Sequence, residues 1–127
     1  MEYQSPLILI VEDNPDQLHI LAEMLQAAGY RVSSSLGAAP ALRKAKLLKP
    51  DLVLTDLAMP QVSGVQLIDQ LRTDPETAHI PIIAVTAYVW DTIAQAAGTA
   101  GVDGFIAKPY TRAKLIEEVK KHLAPKS

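Results

Sequence analysis

At four places in the chain a chemically useful side chain comes directly after a short apolar run. Glu12 and Asp13 follow Leu7-Ile8-Leu9-Ile10-Val11, and Asp56 follows Leu52-Val53-Leu54-Thr55. Thr86 closes the run that starts at Ile80, and Lys108 follows Gly104-Phe105-Ile106-Ala107. Each run has strand length, and the first is rich in branched residues, so each of these side chains is expected at the carboxyl end of a strand. Three bare carboxylates brought into one pocket repel one another and raise one another's pKa. A hard divalent cation relieves that repulsion, and Mg²⁺ typically takes one or two carboxylates together with waters and a phosphate. A lysine beside them adds a fixed positive charge that can pair with Asp56 or with a phosphoryl oxygen. The Thr86 hydroxyl can donate to an anion. Each residue also has a plainer reading: acids cap helices, terminal lysines are solvated, and threonine is favoured in strands. Asn14 already supplies the cap after the first run, which leaves Glu12 and Asp13 without a structural task. The weight comes from all four places sharing one kind of strand end.

A series of alternating strands and helices must position these residues. After the first strand, Asn14 can cap a helix, Pro15 suits its first position and Gln17 completes a capping-box spacing. That helix carries Ile20, Leu21, Met24, Leu25 and Ala28 on one stripe and stops at Gly29. Tyr30 to Ser35 reads as a more polar strand near an edge. Pro40 to Leu48 reads as a second helix with Arg43, Lys44 and Lys46 outward. The third strand, Leu52 to Asp56, leads through a loop to a helix capped by Ser63 with Gln66 and ending near Arg72. A fourth strand spans Ile80 to Thr86, with Pro81 tolerable only at its beginning. A fourth helix covers Val89 to Ala100, and a short fifth strand covers Gly104 to Ala107. Thr111 then caps a last helix with Leu115, Ile116, Val119 and Leu123 on its stripe. Strands alternating with helical segments imply an α/β fold, a doubly wound five-stranded parallel sheet with helices on both faces. The usual five-stranded order, 2-1-3-4-5, opens a crevice outside the carboxyl ends of strands 1 and 3. Those are the two strands that end in carboxylates here.

Composition narrows the function. With 127 residues the chain is read as one domain, residues 1–127 with a core from about 7 to 123 and no output domain. Twelve basic against fourteen acidic residues leave a net charge of −2, which argues against a nucleic-acid face. There is no cysteine, hence no disulfide framework, thiol nucleophile or zinc-thiolate site. The first apolar run is cut off by Glu12 and Asp13 and is too short for a leader or a membrane span. A cytoplasmic protein is the default expectation.

The pieces Val11-Glu12-Asp13-Asn14, Asp56-Leu57-Ala58-Met59-Pro60 with Gly64, Val85-Thr86-Ala87 and Gly104-Phe105-Ile106-Ala107-Lys108-Pro109 together resemble the receiver domain of bacterial two-component response regulators. Among these the resemblance is to single-domain, chemotaxis-regulator-like receivers of flavodoxin-like topology. It implies that Asp56 is the phosphoacceptor, becoming an acyl phosphate at the expense of a phosphohistidine. It also implies that Asp13 and Asp56 hold Mg²⁺ directly, with Glu12 acting through water and the backbone carbonyl of Ala58 as another ligand. Lys108 would bind the phosphoryl group, and its bond to Pro109 would be cis. The resemblance makes Thr86 and Phe105 a switch pair, in which the hydroxyl moves to the phosphoryl group and the ring turns into the space left. Such a chain catalyses only its own phosphorylation and dephosphorylation.

Two surfaces are expected to meet partners. Pro15, Leu18 and Ala22 flank the buried stripe of the first helix, on the side where receivers meet a histidine kinase or histidine phosphotransfer protein. Val89 to Ala100 is almost uncharged, and Trp90 needs a partner or a crevice. With the fifth strand and the last helix this stretch forms the family's usual output face, for a target protein or a second copy of the chain. A nucleotide- or flavin-binding module of the same topology would need a phosphate-cradling loop, whereas the loop after strand 1 has three acids and no glycine. A Mg²⁺-dependent phosphatase would need a cap that this length does not hold. A phosphorylation-independent receiver-like interaction module, or a receiver fragment of a hybrid kinase, is the alternative reading.

Overall fold

The computed structural model of the protein describes residues 5–56, 64–86 and 101–123, with the side chains of Val65 and Thr86 outside that description. The expected loop from Leu57 to Val62, the cap Ser63 and the expected helix over Val89 to Ala100 lie outside the described residues, and with them Ala58 and Trp90. The described elements are β1 (Leu7–Glu12), α1 (Pro15–Ala27), β2 (Arg31–Leu36), α2 (Ala41–Leu48), β3 (Leu52–Asp56), α3 (Gly64–Thr73), β4 (Ile82–Thr86), β5 (Gly104–Ala107) and α4 (Arg112–Leu123). The strands form one sheet in the order β2-β1-β3-β4-β5, and every pairing is parallel. The expected topology is therefore the observed one.

The alternation of side chains along each strand explains the two layers of helix. Leu9, Val11, Val53, Ile82 and Ala84 point to one face and bury Ala41 and Ala45 of α2 and Leu67, Ile68 and Leu71 of α3. Ile8, Ile10, Leu52, Leu54, Ile83, Val85 and Ile106 point to the other, against Leu18, Leu21 and Leu25 of α1 and Leu115 and Val119 of α4. The three central strands are buried on both sides, which is why they read as unbroken apolar runs. The polar β2 takes an edge, as its sequence suggests.

Helix boundaries follow local chemistry. Asn14 caps α1, its Oδ1 accepting from the Gln17 N–H at 3.0 Å, and Thr111 caps α4 through the Lys114 N–H at 3.1 Å. Gly29, at φ 99°, follows α1 in a left-handed conformation that costs a residue with a Cβ considerably more. The fourth strand begins at Ile82 rather than Ile80. Pro81 has no N–H for the ladder, and the Ile80 carbonyl before it accepts from Arg72 rather than from a strand, so the ladder starts at the Pro81 carbonyl, which accepts the Val53 N–H.

That arginine is a tie the sequence alone did not reveal. From the end of α3, Arg72 donates to the carbonyls of Gly101 (2.9 Å), Ala78 (2.9 Å) and Ile80 (2.7 Å), and to Asp103 Oδ2 at 2.6 Å. The same Asp103 oxygen accepts the Ile82 N–H at 2.8 Å. One guanidinium thus joins α3, the lead into β4 and the turn before β5. Replacing Arg72 with Ala strands these acceptors, and a loss of about 3 kcal/mol of stability is expected in chemical denaturation. A lysine would recover only part of it, because a single ammonium cannot reproduce the planar fork.

Candidate functional site

The parallel register brings the strand ends together. Val11 pairs with Thr55, Asp56 with Val85, and Thr86 with Ala107, so Glu12, Asp56, Thr86 and Lys108 all emerge at one edge of the sheet. Glu12 is 3% exposed and Asp56 8%. Lys108 Nζ lies 2.8 Å from Asp56 Oδ2 and 3.7 Å from Glu12 Oε1, and it donates to Gln17 Oε1 at 2.9 Å. The Lys108–Pro109 peptide is cis, as the resemblance implies. Asp13 stands exposed at the rim.

The electrostatics follow from this crowding. Burial, chiefly, pushes the Glu12 carboxyl from its ordinary 4.5 up to about 7, and the charge of Asp56 and the Asp13 side chain push the same way. The Asn14 N–H, at 3.2 Å from Glu12 Oε2, and the Lys108 ammonium pull it back. At Lys108 burial favours the neutral amine, but the hydrogen bond and charge of Asp56, with the charge of Glu12, outweigh it and hold the ammonium above its ordinary range. The site is thus a pair of buried carboxylates held by one lysine.

The donor set suits a hard cation: Glu12, Asp13 and Asp56 offer only oxygen, and a buried acid pair gains most from added positive charge. Among the described residues no three acidic, histidine or cysteine side chains form a closed cluster around a metal position. The Ala58 carbonyl, implied as a further ligand, lies outside the described residues, as does the Thr86 side chain. Phe105 is partly buried against the cluster of Leu9, Val53 and Ile82.

On α1 the expectations need correction. Leu18, expected on a partner face, is buried in the core with Leu21 and Leu25. Ile20, expected in the buried stripe, is 48% exposed. The helix is rotated toward its Leu18 edge because Leu18, Leu21 and Leu25, spaced by three and four, present the larger continuous aliphatic ridge to the sheet. Pro15 is exposed and Ala22 half-buried. Ile20 and Met24 then line, with Gln17, Lys108, Pro109 and Tyr110, a groove of about 390 Å³ beside the site. A larger hollow on α2, lined by Ala39, Leu42, Arg43, Lys46 and Leu47, contains none of the site residues.

The fold thus sets a lysine-paired, buried aspartate at the topological switch point of a doubly wound parallel sheet, where such folds bind their ligands. The chain belongs to the response regulator receiver domain family, whose pattern matches residues 8–120. It is similar to the polar-differentiation response regulator DivK of Brucella anthropi, 34% identical over 116 residues, or 91% of this chain and 94% of that one. Its structure is similar to that of the receiver domain of the sensor histidine kinase PA1611 from Pseudomonas aeruginosa, which has a magnesium ion coordinated in its active-site cleft. That likeness has a TM-score of 0.89 and 30% identity over 95% of this chain and 99% of the other. The chemotaxis protein CheY4 of Vibrio cholerae shares the fold at a TM-score of 0.88 and 24% identity, over 94% of this chain and 99% of that one. The protein is a receiver domain of two-component signalling, and no described helix is long and apolar enough to cross a membrane.

Proposed function

We propose that this receiver is a phosphorylation-dependent switch in which Asp56 accepts a phosphoryl group from a phosphohistidine. The observation that carries the reading is the 2.8 Å bond between Lys108 Nζ and Asp56 Oδ2 inside an otherwise acidic, buried strand end. A carboxylate oxygen of Asp56 bonds to phosphorus as the bond from phosphorus to the donor's imidazole nitrogen breaks, that nitrogen keeping the electron pair. No proton has to leave Asp56, since a carboxylate is already a nucleophile at neutral pH. What remains is positioning and charge stabilisation. Lys108 exchanges its bond to Asp56 for one to a phosphoryl oxygen, while burial keeps water from competing. Asp13 and Asp56, with Glu12 through water and the Ala58 carbonyl, would hold Mg²⁺, which supplies charge neutralisation to the phosphoryl oxygens.

Thr86 and Phe105 act as the switch pair: a new anionic acceptor beside the strand end draws the hydroxyl and biases the packing around the ring. The donor, a cytoplasmic histidine kinase or phosphotransfer protein, docks along α1 near Pro15, Ala22 and the groove at Ile20. The output face comprises residues 89–100, including Trp90, with β5 and α4, and meets a target protein or a second copy.

Intact mass after incubation with acetyl phosphate tests the reading. One phosphoryl group is expected in the presence of Mg²⁺ and none after chelation. Failure to label from acetyl phosphate and from a phosphorylated histidine phosphotransfer protein alike would leave a phosphorylation-independent interaction module.

A further inference from the structure

Gln17 stands where a capping box would turn its side chain back to the N–H of the N-cap residue. That N–H belongs to Asn14 and is already taken by Glu12 Oε2 at 3.2 Å. Gln17 therefore keeps only the backbone half of the motif, its N–H donating to Asn14 Oδ1. Its amide oxygen accepts instead from Lys108 Nζ at 2.9 Å, 91 residues away in the chain.

An ammonium has three donors and no acceptor. At Lys108 one donor goes to Asp56 Oδ2 and one to Gln17 Oε1, while Glu12 Oε1, at 3.7 Å, is beyond hydrogen-bond range. Among the described residues Gln17 is the one neutral acceptor bonded to the lysine. We propose that Gln17 is a positioning residue for phosphoryl transfer: its amide oxygen holds the Lys108 ammonium over the site while the lysine's other bond passes from Asp56 to the phosphoryl group. The proposal rests on the reading of Asp56 as acceptor.

The need for such a tether is physical. Lysine is a hydrated point charge on a long, rotatable stem, and this side chain is 22% exposed. When Asp56 becomes an acyl phosphate it loses the carboxylate charge that anchors the ammonium. A second acceptor fixed to the first turn of α1 keeps the charge from swinging into water during that exchange. A neutral amide serves better than a carboxylate, which would compete for the lysine and add negative charge beside Glu12, Asp13 and Asp16. Gln17 also lines the groove with Ile20 and Pro109, so a protein seated there would touch the residue that holds the lysine.

The test compares Gln17→Met, which keeps the length and removes the acceptor, with Gln17→Glu, which keeps an acceptor. The NMR signal of the Lys108 ammonium in unphosphorylated protein needs no phosphodonor. It is expected to be ordered and slow to exchange protons in wild type and Gln17→Glu, and averaged in Gln17→Met. With acetyl phosphate and Mg²⁺, labelling of Gln17→Met is expected to slow roughly tenfold, with Mg²⁺ affinity and melting temperature unchanged. A merely structural residue would move the last two and leave the ammonium signal alone. If wild type is labelled while Gln17→Met shows an unaltered signal or rate, the role of Gln17 is overturned by itself. If wild type takes no phosphoryl group from acetyl phosphate or from a phosphorylated histidine phosphotransfer protein although its Lys108 signal is ordered, the acceptor reading falls, and the role in transfer with it.

Discussion

Asp56→Asn is expected to lose phosphorylation altogether while keeping the fold. The amide is isosteric and can still accept from Lys108, so the 2.8 Å contact that closes the strand end has a neutral replacement. Its oxygen is no longer an anionic nucleophile, and the acyl phosphate cannot form. Removing the nucleophile of a covalent step leaves only positioning around an absent reactant, so labelling should fall below detection by intact mass. The melting temperature should hold or rise, because the variant lifts one negative charge from beside the buried Glu12. Normal labelling of this variant would place the acceptor on another residue and sink the assignment.

The second large effect concerns stability. Glu12 has its carboxyl raised from 4.5 to about 7 in the folded protein, by burial first and then by Asp56 and Asp13. Between those two pH values the folded chain holds a proton that the unfolded chain has released. The stability of the metal-free protein therefore falls as pH rises from about 4.5 to about 7, and the full penalty applies above that. At about 1.4 kcal/mol per pKa unit it amounts to about 3 kcal/mol. Glu12→Gln keeps an oxygen for the Asn14 N–H and removes the charge. The metal-free variant should therefore melt several degrees higher than wild type at pH 8, with the advantage vanishing near pH 4.5. Adding Mg²⁺ should stabilise wild type more than the variant, since less repulsion remains to be neutralised. Parallel melting curves for the two proteins across this pH range would show that Glu12 carries no such penalty. The stability lost at this strand end is the counterpart of a pocket built to receive positive charge and a phosphoryl group.

Much of the site was legible from the chain itself because its cues are local. Runs such as Leu7 to Val11 and Leu52 to Thr55 can satisfy their burial only as central parallel strands. A residue that follows such a run has to emerge at the strand's carboxyl end. Asn14 and Thr111 cap helices through N–H groups three residues away, which spacing alone reveals. The strand order and the meeting of Glu12 and Asp56 at one crevice follow from those runs together with the few topologies open to five parallel strands.

The tertiary structure decided whatever depends on distant partners. Periodicity marked α1 as amphipathic, but two overlapping stripes fit its apolar residues, and only packing against the sheet turned Leu18 inward and Ile20 outward. In the sequence Arg72 marks only the neighbourhood of a helix end; the fold surrounds it with the carbonyls of Ala78, Ile80 and Gly101 and the carboxylate of Asp103. Gln17 had the spacing of a capping box, yet Glu12 took the N–H it would have used and Lys108 arrived from β5 to claim its oxygen. Local sequence governs which backbone conformations and burials are affordable. The partner of a long polar side chain depends on which groups the fold brings within 3 Å, and those lie far off along the chain.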